Sequence, residues 1–382
     1  MSDKQTVRFG DICREVKLST KDPIGDGYER YIGLEHLDSG SLRIKRWGMI
    51  SEDNPSFTRV FKKGNILFGK RRPYLKKAAI AEFDGICSGD IIVLCPKSSL
   101  LLDDLLPFII QSDLMWNHAV KTSSGSLSPR TKFAELAKLE LRLPQDKAQV
   151  RYLGTLRAIE STLAQAESVK NSAKILFQRL IDRFLTNDRS ETPLNGFSRS
   201  RLKNLVSVNC KSVAAIKNST TSFDYVDISS VSFPGQVKEL NSISWIDAPS
   251  RAQRVLSAND VGVSTVRPNH RASFFVDDEL TGKVASTGFS VLTPKESKYG
   301  KWIFYATLSR QFTHSLTNLA TGTSYPAVSD GDVLAQQIDI PKDNLNEYIS
   351  TLDNVRLSIS HLNEKMSNLN DVKINVIREL ME

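Results

Sequence analysis

The segment FKKGNILFGKRRPYLKKAAI, Phe61 to Ile80, holds the densest array of groups that could do chemistry in this chain. Gly64 to Lys70 satisfy the spacing G-x-x-x-x-G-K of a loop that cradles nucleotide phosphates, in which a hydroxyl after the lysine holds magnesium. Here Arg71 stands where the hydroxyl is needed, and Ile66, Leu67 and Phe68 fill a gap that calls for small residues. Three consecutive bulky apolar residues read instead as a buried strand, entered through a turn at Lys63-Gly64-Asn65. What remains is charge: Lys62, Lys63, Lys70, Arg71, Arg72, Lys76 and Lys77 fall within sixteen residues that contain no acid, with Tyr74 among them. Alone, such a run is a solvated strand end. Beside a polyanion it is a set of phosphate contacts.

Other constellations that could carry catalysis are incomplete. An adenine methyltransferase holds its flipped base with a turn of the type Asn-Pro-Pro-Tyr or Phe. Only DNPSF, Asp53 to Phe57, comes near; Ser56 replaces the second proline, and no Gly-rich cofactor loop lies nearby, so the segment reads as a turn. His36, His118, His270, His314 and His361 show no ligand spacing with one another or with cysteine, although His270 lies in a polar turn that could meet DNA. Cys13, Cys87, Cys95 and Cys210 form neither metal pairs nor a disulfide framework and read as reduced and mostly packed. No cofactor and no metal are expected.

The elements that position the basic turn come from a repeat. The chain has 382 residues, enough for two or three domains. Its two halves match in order at an offset near 197 residues. YIGLEHLDSG from Tyr31 answers YVDISSVSFPG from Tyr225, and KKGNILFGKRRPY answers SANDVGVSTVRPN, placing Arg72-Pro73 on Arg267-Pro268. IIVLCPK answers FSVLTPK, SSGSLSP ending at Pro129 answers ATGTSYP ending at Pro326, and LELRLP answers QQIDIP. The second copy lacks the first Gly and the Lys of the loop motif but keeps the strand and the Arg-Pro turn. The shared design is therefore a strand that delivers a polar turn.

Each copy is followed by long Gly-poor, nearly Pro-free sequence, with Asp146 and Asp343 as expected N-caps. Leu156, Ile159, Leu163, Phe177 and Leu180 recur at helical spacing in the first stretch, and Leu352, Val355, Ile359, Leu362 and Leu369 in the second. Such a narrow seam is that of a coiled coil, interrupted by Lys170 and Lys373. Two amphipathic helices, each packed on its own domain, are the alternative. The expected boundaries are a first domain over 1–145, a helix over 146–186, a linker over 187–198, a second domain over 199–342 and a helix over 343–382. The fold class is mixed α/β: two repeated domains joined by two long helices that pair as an antiparallel coiled coil with pseudo-two-fold symmetry. Helices of this length form a spacer suited to an object with two short sites at a fixed separation, and duplex DNA is such an object.

The 51 Lys and Arg against 43 Asp and Glu give a net charge of +8, which favours an acidic partner. The N-terminal MSDKQTVRFG has no apolar signal region, and LLLDDLLPFII is cut by Asp103, Asp104 and Pro107, so a cytoplasmic protein with no membrane partner is expected.

GNILFGKRRPYLKKAAIAEFDGICSGDIIVL, Gly64 to Leu94, together with the order domain, helix, domain, helix, resembles the specificity subunit of type I restriction-modification systems. The resemblance covers essentially the whole chain, more strongly in the first domain and the helices than in the second domain. It implies two target-recognition domains, each reading half of a split double-stranded DNA site, with no chemistry of their own. It also implies two methyltransferase subunits docked around the helices and domains, and restriction subunits that join them. Base edges are read by polar and Arg side chains and phosphates are held by Lys and Arg. The expected DNA contacts are therefore Lys70, Arg71, Arg72, Tyr74, Lys76 and Lys77 with Ser124, Ser126, Ser128 and Arg130 in the first domain. In the second they are Thr265, Arg267, Asn269, His270 and Arg271 with Thr321, Thr323, Ser324 and Tyr325. Arg72 and Arg267 could equally brace their turns. A coiled-coil adaptor whose end domains bind proteins is the competing function.

Overall fold

The computed structural model describes residues 4–97, 100–185, 195–213, 222–238 and 240–381. The chain divides into two compact units, Met1–Ala164 with Met366–Glu382, and Gln165–Lys365.

In the first unit the strands are β1 (Gln5–Arg8), β2 (Cys13–Glu15), β3 (Arg30–Ile32), β4 (Gly48–Met49), β5 (Arg59–Phe61), β6 (Ile66–Gly69), β7 (Ala78–Ile80), β8 (Gly85–Cys87), β9 (Ile91–Pro96) and β10 (Glu140–Leu143). They form a four-stranded sheet in the order β2-β9-β6-β7, a second in the order β4-β3-β8-β5, and the pair β1-β10. All pairs are antiparallel except β3 with β8.

The run Ile66-Leu67-Phe68 is buried on both faces, as an unbroken apolar strand requires. Ile66 and Phe68 join a core with Phe9, Trp116 and Leu136, while Leu67 joins another with Ile32, Phe61 and Val93. Phe68 stacks on Trp116 with ring centroids 4.6 Å apart. Trp116 lies on α1 (Asp113–Lys121), whose N-cap Ser112 accepts a bond from the Met115 amide. Cys13 and Cys87 are buried and free, and Cys210 is exposed.

The second unit repeats this plan. Its strands are β11 (Phe197–Arg201), β12 (Val206–Val208), β13 (Ser222–Val226), β14 (Val231–Ser232), β15 (Gln236–Val237), β16 (Ser242–Ser244), β17 (Ala252–Val255), β18 (Val261–Ser264), β19 (Ser273–Phe275), β20 (Val284–Ser286), β21 (Phe289–Pro294) and β22 (Gln337–Pro341). The sheet orders β12-β21-β18-β19 and β16-β13-β20-β17 and the pair β11-β22 copy the first unit strand for strand, with an added hairpin β14-β15. Again one pair, β13 with β20, is parallel. β11 begins at Phe197, inside the expected linker; residues 187–194 of that linker lie outside the described residues.

Two long helices, α2 (Asp146–Leu185) and α3 (Leu345–Met381), each pass through both units. Their caps differ from expectation by one residue. The first helical amides bond the carbonyls of Gln145 and Asn344. Asp146 instead sits in the first turn, where its charge meets the positive end of the helix dipole, and Asn344 adopts φ 59°, a conformation its short polar side chain tolerates. In the first unit the start of α2 meets the end of α3, where Lys373 Nζ donates to Glu160 Oε1 at 3.0 Å. In the second the end of α2 meets the start of α3, with Phe184 and Tyr348 in edge contact at 4.8 Å. The pairing is antiparallel in each.

Leu156, Ile159, Phe177, Leu352 and Ile359 are buried, and Leu163, Leu180, Val355, Leu362 and Leu369 are half-buried. The helices also pack on the sheets. Leu156 and Ile377 belong to the first unit's core, and Phe177, Ile181, Leu352 and Ile359 to the second's. Among the described residues no helix is long and apolar enough to cross a membrane.

Candidate nucleic-acid interface

β6 ends at Gly69, and the chain crosses to β7 through Lys70–Lys77. No helix follows Gly69 to offer its amides to a phosphate; the only helical piece is one tight turn, Pro73–Leu75. Arg72 and Lys76, at φ 52° and 48°, bracket that turn in the left-handed conformation, and Pro73 is buried beneath it. In the second unit Arg267 and Arg271, at φ 49° and 55°, bracket Pro268–His270 over a buried Pro268. Left-handed backbone is costly for a non-glycine residue, and finding it twice at equivalent positions marks a specified geometry.

A second loop holds each turn in place. The amide of Arg72 donates to Pro129 O and that of Arg267 to Pro326 O, both at 2.7 Å. Thr131 N donates to Lys70 O at 3.1 Å, and Val328 N to Thr265 O at 2.9 Å. The second loop is itself a closed hairpin: Ser124 and Arg130 exchange both backbone bonds at 3.0 and 2.9 Å, as Thr321 and Ala327 do. Gly125 and Gly322 turn these hairpins at φ 111° and 102°, a region that excludes ordinary side chains. Segments about sixty residues apart in sequence thus form one braced knob per unit.

The knobs share a backbone and differ in side chains. In the first, Asp90 sits between two arginines. Arg130 Nε donates to Asp90 Oδ1 at 2.7 Å, Arg71 Nη1 lies 3.5 Å from Asp90 Oδ2, and Arg71 Nη2 donates to Ser128 Oγ at 3.2 Å. The Arg130 hydrogen bond, with the charges of Arg130, Arg71 and Lys70, holds the Asp90 carboxyl below the usual carboxylate range. Arg72, Tyr74, Ser124 and Ser126 are exposed, and the Arg72 side chain makes no hydrogen bond or ion pair among the described residues.

The lysines separate. Lys76 Nζ reaches Asp113 Oδ1 at 2.7 Å, and Lys77 Nζ is taken up by Leu34 O at 2.7 Å. Lys70 is half-buried, its pKa lowered by burial and then by the charge of Arg59. Lys62 pairs with Asp84 at 2.9 Å at the opposite end of β6 and takes no part in the knob.

In the second unit the guanidinium of Arg267 lies over the Tyr325 ring at 4.7 Å and donates to Ser324 O at 3.2 Å. Asn269, His270, Thr321, Thr323 and Ser324 are exposed, and Tyr325 is 70% exposed. Two expected contacts point elsewhere. Thr265 is buried and donates to Gly288 O at 3.0 Å. Arg271 turns to α2, donating to Gln178 Oε1 and Leu308 O, with its guanidinium 4.1 Å from the Phe233 ring centroid; burial pushes its pKa down to about 10.

Two contributors give no signal in the sequence. Asp90 is distant from both loops in the chain and is brought in only by β9. Leu127, at the hairpin tip, is 89% exposed and looks in sequence like a core residue.

Two of the histidines are engaged in the first unit's fold: His36 Nδ1 accepts from Gly33 N at 2.9 Å, and His118 Nε2 lies 2.9 Å from Glu135 O. Among the described residues no three His, Cys, Asp or Glu groups could hold a metal. The knobs offer forked guanidinium donors, hydroxyls, amide groups and an exposed tyrosine ring. Such groups pair with guanine and adenine edges, accept from or donate to bases, and hold phosphates.

Residues 1–174 match the family model described as the type I restriction modification DNA specificity domain. The type I restriction enzyme EcoDI specificity subunit of Escherichia coli is 23% identical over 175 residues, which are 46% of this chain. They are 38% of that protein, so the chain spans less than two fifths of the curated relative it matches. The type-I restriction-modification system S subunit from M. genitalium has a similar fold, with TM-score 0.60 and 11% identity over 100% of this chain and 96% of that one. So does a chain from a structural study of complex assembly and conformational transition of the type I R-M system, with TM-score 0.52 and 17% identity over 99% and 97%. The similarity in sequence to the type I restriction modification DNA specificity domain thus lies in residues 1–174, and the similarity in fold extends over the whole chain.

Proposed function

We propose that the chain is the sequence-reading subunit of a type I restriction-modification complex. Each unit contacts one half of a split double-stranded DNA site through its knob. Partner methyltransferase subunits, two of them, carry out adenine methylation, and restriction subunits cleave; the chain itself catalyses neither. In this reading residues 1–145 and 199–342 are the two target-recognition domains.

One observation carries it: the same braced knob is built twice on the same backbone while the side chains it displays differ. A scaffold that only had to fold would have no reason to keep strained backbone and vary the exposed groups. A reader of two different half-sites has that reason.

The test is electrophoretic or anisotropy titration of the full chain on duplex DNA at about 50 and 200 mM salt. Contact with several phosphates predicts an affinity that falls at least tenfold between them. A chain that binds no duplex at either salt, while its units capture a partner protein, would favour the adaptor function.

A further inference from the structure

The repeat exposes a difference between the units away from the knobs. In the first unit a cavity of about 500 Å³ opens between Ser39-Gly40, the first turn of α1 and the end of α3. In the second unit the chain itself occupies the corresponding place. Gly40 and Gly235, at φ 69° and 74°, end equivalent loops, but the second loop is one residue longer and carries Phe233 where the first has no aromatic residue. Its ring packs on Phe177 of α2 at 6.0 Å and lies under the Arg271 guanidinium at 4.1 Å.

None of these groups has a counterpart that fills the first unit. At the repeat's offset Lys373 replaces Phe177 and is drawn to Glu160 at 3.0 Å. Lys76 replaces Arg271 and is drawn to Asp113 at 2.7 Å. Ile374 replaces Gln178, and it and Leu114 line the opening at 40% and 42% exposure. The wall thus keeps apolar surface with no ring against it. The charges at the cavity are engaged: Lys76 pairs with Asp113, Lys373 with Glu160, and Arg378 donates to Asn375 Oδ1 at 3.3 Å, which leaves the apolar wall as the open feature.

We infer that this groove receives an aromatic side chain presented by a partner polypeptide in the place that Phe233 fills in the second unit. The ring covers Ile374 and Leu114. Resting on the proposed function, the partner is a methyltransferase subunit. The two units then engage their partners differently, since among the described residues Phe233 occupies this place in the second unit.

Two variants of the full chain test this. Inserting a phenylalanine between Asp38 and Ser39 gives the first unit the loop length and ring of the second, and plugs the groove. Ile374→Glu places a charge where the incoming ring would pack, on a wall residue that is already solvated. The insertion adjoins Lys76 and Lys77, to which Ser39 and Gly40 are bonded, so DNA binding is read on Ile374→Glu, which lies on α3 away from that turn. Titration with the purified methyltransferase subunit should show at least tenfold weaker association for both variants, with unchanged melting temperature, and with unchanged duplex-DNA affinity for Ile374→Glu. Affinities within twofold of wild type in both would overturn the inference. A wild-type chain that binds DNA but no methyltransferase subunit would overturn the partner assignment in the proposed function and this inference with it.

Discussion

Arg72 shows how a single residue can be both strained and exposed. Its backbone amide anchors the knob through Pro129 O, which any residue but proline could do, while its guanidinium stands free in solvent. Bracing therefore does not require an arginine side chain here, whereas Arg267 does brace, through Ser324 O and Tyr325. Arg72→Gly should relieve left-handed strain of about 1 kcal/mol, leaving stability equal or higher in urea melts, while duplex affinity falls. Equal affinity would show that Arg72 does not touch DNA. Asp90 carries the opposite logic. Its folded pKa lies below its unfolded value of about 3.9, so its stabilisation is fully present above that value and is lost as pH falls through the folded one. The Ser124 and Arg130 amide resonances should hold constant from about pH 8 to 5 and shift only in stronger acid. A transition near neutrality would contradict the Asp90 brace. The sequence marked Arg71 and Arg130 as basic loop residues but gave no sign of the carboxylate between them, because three segments meet only in the fold. Arg271 misled for the same reason: its charge looks free in the string HRAS and is spent on α2.

At the scale of strands and helices, the repeat carries complementary exchanges. Leu67 faces Ala79 across β6 and β7, and at the equivalent place Gly262 faces Phe274 across β18 and β19. A Cβ at Gly262 would lie 2.2 Å from Phe274 Cε1, so the large residue has moved from one strand to its neighbour. Gly262→Leu should overpack the second unit and Phe274→Ala should leave a cavity, each at about 2–4 kcal/mol. The double change recreates the first unit's pair and should cost less than either alone; additive losses in denaturant titration would refute the exchange. The strands themselves were legible because an apolar run such as Ile66-Leu67-Phe68 has one stable use, burial on both faces. The helices were legible in length and less so in contacts. A seam read as two-helix packing omitted Ile181, Leu185, Ile377 and Met381, all buried. They face the domain cores, which widen the apolar stripe beyond what pairing alone needs. Both ways of packing amphipathic helices, on each other and on their domains, are realised together.

For the whole molecule, the proposed function is a division of labour between the two units, in which each would read its own half-site for a shared set of partner enzymes. The repeat and the change to helical sequence after each copy were plain in the string. The asymmetry was not, since a loop one residue longer that carries Phe233 and a few exchanged side chains decide which surfaces stay open. The most direct measurement is the map of adenine methylation left on a randomised DNA library by the full chain with its methyltransferase partner. Wild type, a first-knob variant (Ser126→Ala with Leu127→Ala) and a second-knob variant (Thr323→Ala with Tyr325→Ala) would be compared. The account predicts a two-part motif separated by unread bases, with each variant relaxing or altering only one part. A single undivided motif, or a motif in which either variant changes both parts or neither, would contradict it.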